Sequence, residues 1–210
     1  TIYKGHELAW YEGPPTELAE FDIPAGAFVV GCVANMRPRK GIEVLVAAFA
    51  LLPEKLPIYL LLVGSMQSAR LDREIAANPN AARIHKAGFR RDAPAIIAAC
   101  AVSVLTTLRG EGLPKTVIEA MARGVTPIVT NAGGSAELVE HRRSGLVVPP
   151  GEPAALAAAI LELYEQPALR AELGAAARRR IAAEFSSAAT VRRTLDLYRE
   201  LLGESRGAAV

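Results

Sequence analysis

A chain of 210 residues, 51% of them apolar and much of that alanine, is long enough to bury a sizeable core and suits helices well. Its net charge of +2 lends no electrostatic support to a nucleic-acid role, and no apolar run approaches the roughly 18 residues of a membrane span. Cys32 and Cys100 both lie in apolar surroundings, which fits reduced, buried thiols in a cytoplasmic protein better than a disulfide framework.

In chain order, residues 1–25 read as an interdomain connector, with Gly13-Pro14-Pro15 and no sustained period. The chain opens on Thr1, without a signal-peptide pattern, and reads as an excised piece. From residue 26, short β-branched or Leu-rich runs alternate with helical patterns. Strands are expected at 28–34, 58–63, 83–86, 102–105, 127–130 and 146–148, with helices at 42–52, 71–77, 93–100, 115–123 and 136–140. This alternation predicts an α/β fold, a single Rossmann-like, doubly wound parallel sheet with right-handed crossovers. Residues 154–202 turn all-helical, with breaks near Pro167 and Phe185, and form a helical C-terminal tail to the sheet. One domain over 26–202 and a frayed tail over 203–210 complete the organisation.

Two loops carry the chemistry. Arg37-Pro38-Arg39-Lys40-Gly41 follows the first strand and leads into its helix, so three cations gather beside a helix amino terminus, a strong anion site. Glu111-Gly112-Leu113-Pro114-Lys115 follows the fourth strand, on the same carboxyl edge where open α/β sheets bind ligands. Pro114 suits the first helical position. Lys115 then falls in the first helical turn, where the dipole disfavours a cation, and Glu119 interrupts the apolar run Val117-Ile118-Glu119-Ala120-Met121-Ala122. Their i, i+4 spacing allows a plain surface ion pair, in the weaker Lys-before-Glu order. The functional alternative gives Lys115 a bound anion and Glu119 two neighbouring hydroxyls.

Other chemistries find no support in the sequence. No G-x-G-x-x-G follows the first strand, and no G-K-[ST] triplet exists. No H-E-x-x-H or paired C-x-x-C suggests zinc, and no D-x-D pair is available for a metal-held diphosphate. His6, His85 and His141 are isolated, and no G-x-S-x-G elbow occurs. Arg178-Arg179-Arg180 reads as a solvated helix face.

Four elements together resemble the carboxyl-terminal, donor-binding half of a GT-B glycosyltransferase, of the family-4 retaining type. They are the E-x7-E element at Glu111 and Glu119, the basic loop ending Lys40-Gly41, the Gly133-Gly134-Ser135-Ala136-Glu137 element, and Ser144-Gly145-Leu146-Val147-Val148-Pro149. In order and spacing they cover about residues 28–165. The resemblance implies that Glu119 binds the nucleotide ribose, that Glu111 reaches the donor sugar, and that Lys40 with an Arg holds the diphosphate. The family usually places Gly-Arg where Ala34-Asn35 stand, so Arg37 becomes the expected substitute, with Arg39 behind it. Gly112 and Leu113 lie in the donor loop, and Lys115 compensates for Pro114, which stands where the family commonly has Gly.

The implied reaction moves a sugar from a nucleoside-diphosphate sugar to an acceptor hydroxyl with retention. No metal and no cofactor is expected, because fixed cations take the metal's role. The implied partner is an absent amino-terminal acceptor domain, without which the piece is expected to be inactive. Peripheral membrane contact of a parent enzyme in polysaccharide or glycolipid synthesis is compatible with this. A GT-B-type sugar-nucleotide epimerase and a catalytically silent nucleotide-sugar-binding module are the alternatives.

Overall fold

The computed structural model describes residues 1–35, 37–65 and 68–203. Six strands build one sheet: β1 (Phe28–Val33), β2 (Ile58–Val63), β3 (Ile84–Gly88), β4 (Val102–Leu105), β5 (Thr126–Thr130) and β6 (Leu146–Val148). All pairs are parallel, in the order β3-β2-β1-β4-β5-β6. The sequence direction therefore reverses between β1 and β4, which pair Val30 with Val102 and Gly31 with Ser103. A parallel doubly wound sheet opens a crevice at such a reversal, above the carboxyl ends of the two strands. Both basic and acidic loops emerge there.

The helices are α1 (Ile42–Ala50), α2 (Ala69–Ala76), α3 (Ala93–Ala99), α4 (Lys115–Ala122), α5 (Ser135–Leu138), α6 (Pro153–Glu165), α7 (Pro167–Glu184) and α8 (Ser187–Leu201). Pro167 opens α7 and Phe185 closes it, so both expected breaks hold. The third strand begins and ends later than expected, because Ala81–Arg83 closes a 3-10 turn before the ladder starts. Pro114 takes the cap position of α4 in extended geometry, one residue ahead of the first turn, and its carbonyl receives the amides of Val117 and Ile118.

Side chains alternate across β1 as a strand requires. Val30 and Cys32 face the larger core, with Leu45 and Phe49 of α1 and Leu156 and Ile160 of α6. Val29 faces the other side, against Ile96 and Cys100 at the end of α3. Burial pushes both thiols up to about 12, so neither is a nucleophile near neutrality. Among the described residues, no helix is long and apolar enough to cross a membrane.

The segment ahead of β1 is docked on the domain. It carries 3-10 turns at Leu8–Tyr11 and Leu18–Phe21. His6 bridges to Ser186, the cap of α8, and Thr190 of α8 donates to the Tyr3 carbonyl at 2.8 Å. The basic run on α7 is only partly solvated. Arg178 and Arg179 are exposed, whereas Arg180 turns inward to Glu140 and Glu184 and donates to the Leu138 carbonyl.

Candidate nucleotide-binding cleft

The loop after β1 turns tightly through Pro38–Lys40 and reaches α1 through Gly41, whose φ of +62° is left-handed. A side chain there would meet the Thr106 carbonyl at 2.4 Å, so only glycine lets this loop lie against the end of β4. Three further contacts stitch the two loops together. Arg39 donates to the Gly110 carbonyl at 3.0 Å, Leu108 donates its amide to the Arg39 carbonyl, and Thr106 donates its hydroxyl to the Lys40 carbonyl.

Lys40 and Glu111 meet in an ion pair, although 71 residues separate them. Thr107 donates its hydroxyl to the same Glu111 oxygen at 2.9 Å. Both side chains of the pair are mostly buried, at 12% and 14% exposure, so the contact is held in a partly desolvated setting. The Glu111 backbone is fixed from the other side: Gly134 donates its amide to the Glu111 carbonyl at 3.0 Å. Gly133, with φ of +59°, approaches so closely that a side chain would lie 2.2 Å from that carbonyl. The Gly133-Gly134 pair is thus a clamp on the Glu111 loop.

A cleft of about 350 Å³ opens over this arrangement. Its lining includes Arg37, Arg39, Lys40, Arg90 and Lys115, against Glu111 as the one carboxylate among the described residues, with Ala34 and Asn35 just after β1 and Phe89 after β3. A larger groove lies elsewhere, between Thr1, Ile2 and α8, where Arg193 and Arg199 line it with Asp196 and Glu200 and Arg199 pairs with Asp196 at 3.5 Å. The lining of the cleft at the sheet reversal carries more cations than carboxylates, which makes it the candidate anion site. Arg39 already spends one N–H on Gly110, while exposed Arg37 also lines the cleft.

The helix α4 carries the other two expected residues. Lys115 lines the cleft and also forms the i, i+4 ion pair with Glu119, at 3.3 Å. Glu119 is buried at 4% exposure. Burial raises its pKa above the usual carboxylate range, and the Lys115 ammonium opposes that shift. Gly112 is exposed and Leu113 half-buried against the core, both within the clamped loop. Among the described residues, no three His, Cys, Asp or Glu side chains gather as a metal site.

Sequence reasoning passed over Thr107, Phe89 and Arg90. Thr107 stands just beyond β4 and carries a hydroxyl at the carboxyl edge, which is a usable signal. Arg90 is fixed by Asp92 and by both oxygens of Glu20, with Phe21 beneath it at 5.1 Å, and nothing in the local sequence announces that pairing.

A family model described as "Glycosyl transferases group 1" matches residues 15–180, which contain every element of this cleft. The chain belongs to that family. Among curated group 1 relatives, it is 32% identical over 173 residues to the putative glycosyltransferase EpsD of Bacillus subtilis, covering 81% of this chain and 45% of that one. It is 30% identical to the capsular polysaccharide biosynthesis glycosyltransferase CapM of Staphylococcus aureus, over 86% of this chain and 48% of the relative. The chain thus spans about half the length of the curated relatives it matches. Among solved structures, Anabaena Alr3699/HepE, crystallised with UDP, superposes with a TM-score of 0.86 at 27% identity, over 95% of this chain and 57% of that one. Sucrose-phosphate synthase of Thermosynechococcus elongatus superposes at 0.81 with 32% identity, over 97% and 53%. The α/β sheet is that of the carboxyl-terminal halves of GT-B glycosyltransferases.

Proposed function

We propose that this chain is the donor-binding half of a retaining, family-4-type glycosyltransferase, which takes a nucleoside-diphosphate sugar. The observation that carries the reading is the Lys40–Glu111–Thr107 cluster inside a cationic cleft at the sheet reversal, in a chain of the group 1 family. The UDP found in the HepE crystals makes a uridine nucleotide a natural first ligand to try.

In this reading Arg37 and Lys40 grip the diphosphate, and the α4 amino terminus adds its unpaired amides. Glu119 accepts from the ribose hydroxyls, and Glu111, aimed by Thr107 and Lys40, accepts from hydroxyls of the donor sugar. Arg39 holds the two loops in register. During transfer the bond from the anomeric carbon to the diphosphate breaks, one to the acceptor oxygen forms, and the acceptor hydroxyl's proton passes to the departing diphosphate. Charge grows on the departing diphosphate, and fixed cations stabilise it without a metal or cofactor, because preorganised charge needs no reorganisation as the reaction proceeds. The acceptor belongs to the other half of the parent enzyme, with residues 1–25 as the connection. The reading places the parent in the cytoplasm, in polysaccharide or glycolipid synthesis, and the capsular polysaccharide relative CapM supports the polysaccharide part.

Calorimetry with UDP, GDP and ADP tests the binding half of the reading. Saturable binding of at least one, much weakened by replacing Arg37 and Lys40 with Ala, supports it, and no binding of any of the three overturns it. Sugar transfer by the full-length parent, assayed with a donor panel, separates a transferase from an epimerase or a silent module.

A further inference from the structure

Tyr11 belongs to the segment ahead of the sheet, yet only 5% of it is exposed. Arg123, which caps the carboxyl end of α4 one turn beyond Glu119, donates to the carbonyls of Tyr11 and Gly13 at 2.8 and 2.6 Å. The Tyr11 hydroxyl meets His6 Nδ1 at 3.0 Å. The backbone and the hydroxyl of Tyr11 are therefore both held, which leaves the ring face as a fixed surface. The Lys115 ammonium lies over that face, 5.8 Å from the ring centroid, and 3.3 Å from the Glu119 carboxylate.

Lys115 needs such a second attachment. Its side chain is 67% exposed and carries four rotatable carbons, and a lone Lys-before-Glu pair on a helix is too weak to hold it in one place. A ring face attracts an ammonium through its quadrupole and offers a broad, fixed seat. The contact chain Tyr11–Lys115–Glu119 then runs from the leading segment to the carboxylate read above as the ribose acceptor.

We infer that Tyr11 is a positioning residue of the nucleotide site: its ring seats Lys115 beside Glu119 and so keeps the carboxylate ready for the ribose hydroxyls. The inference rests on the ribose reading of Glu119. Without the ring, the Lys115 ammonium leaves for solvent or for the bound diphosphate, and Glu119 loses its counter-ion.

The test uses the whole 210-residue chain. UDP, GDP and ADP are titrated calorimetrically, and the tightest binder is compared with its 2′,3′-dideoxy analogue. Their affinity ratio reads the ribose grip alone. Tyr11→Leu should lower the ratio about two- to fivefold, the scale of a cation–π contact, while Tyr11→Phe, which keeps the ring, should preserve it. In a Lys115→Met background, Tyr11→Leu should lower the ratio no further, because the two residues act in series. An unchanged ratio in Tyr11→Leu, or an equal loss for ribose and dideoxyribose ligands, makes Tyr11 a packing residue and overturns the inference. A wild type that binds a diphosphate with no ribose preference instead overturns the reading of Glu119, and the role of Tyr11 falls with it. Should Tyr11→Leu fail to fold, progressively fluorinated phenylalanines at position 11 weaken the ring face at nearly constant shape. The ratio should then fall stepwise, and a flat series overturns the inference.

Discussion

An ionised carboxyl on the buried side of α4 opposes folding, because the charge leaves water for a site where Lys115 returns only part of the lost solvation. The folded pKa of Glu119 is raised above its unfolded value, so the native state holds the proton more tightly between the two values. Stability therefore falls as pH rises through that window, and the penalty is complete once the folded carboxyl is ionised. Glu119→Gln should leave Tm unchanged or raise it above the window, while weakening nucleoside-diphosphate binding by roughly 1.5–3 kcal/mol. Scanning calorimetry across pH and isothermal titration check the two halves. A mutant that loses stability and keeps affinity refutes both. At Lys40 the balance is reversed. Its ion pair with Glu111 is mostly buried, so Lys40→Met should cost about 1.5–3 kcal/mol of stability, and adding Glu111→Gln should recover part of it. Chemical denaturation of the single and double mutants measures the recovery. Glu111, Lys40 and Glu119 were legible in the sequence on separate grounds: Lys40 as part of a basic cluster after the first strand, Glu111 by its place on the same carboxyl edge, and Glu119 as a charge inside an apolar run. Tyr11 and Arg90 were not, since the partners that tie a tyrosine in a Pro-rich stretch and an arginine in a loop to the site and the leading segment lie about 70 or more residues away.

At the scale of elements, the site is assembled from loops on one sheet edge, and hydrogen bonds to backbone carbonyls hold the Glu111 loop to the loops after β1 and β5. The Gly133-Gly134 clamp is the most exacting of these. Gly133→Ala forces a left-handed φ on a β-carbon and drives it into the Glu111 carbonyl, so the Glu111 loop must move. Such strain is typically about 1–3 kcal/mol, and the mutant should lose stability and diphosphate affinity together. Gly151, also at positive φ but with open space around it, serves as the control: Gly151→Ala should lose stability without losing affinity. Denaturation midpoints and calorimetric affinities distinguish the two positions. The sheet and its helices were readable because β-branched runs and helical periods alternate cleanly and the breakers stand at Pro167 and Phe185. Boundaries slipped where a 3-10 turn preceded β3 and where Pro114 capped α4 instead of entering it. Both slips depend on local hydrogen bonds that hydrophobic patterning does not encode.

For the whole molecule, the proposed reading gathers the donor contacts within one domain and so separates binding from turnover. The chain alone should bind nucleoside diphosphate and should not transfer sugar efficiently. Holding the acceptor hydroxyl near the anomeric carbon is worth roughly 7–11 kcal/mol of barrier, and that wall of the cleft belongs to the proposed other half. Slow donor hydrolysis is the most that should be seen, and efficient transfer to a sugar acceptor would sink the half-enzyme reading. The leading segment is the place where sequence and structure differ most in character. It reads as a bare connector for lack of periodicity, yet it is laced to α8 by His6 and Tyr3, to α4 by Arg123, and to the loop after β3 by Glu20. Irregular backbone docked by scattered polar contacts has no periodic signature, so its packing could not be read in advance.

The outer strands of the sheet have a bearing on colloidal behaviour. An unpaired strand edge is a template for recruiting another chain, and open sheets must blunt it. Here β3 pairs with β2 through a register shift after Leu62, carries half-exposed Lys86 in an ion pair with Asp72, and ends on left-handed Gly88. At the opposite margin β6 is three residues long, and Pro149 and Pro150 follow it at once. Neither border presents a long, flat, uncharged ladder, so this domain is guarded against growing into ribbons by strand addition.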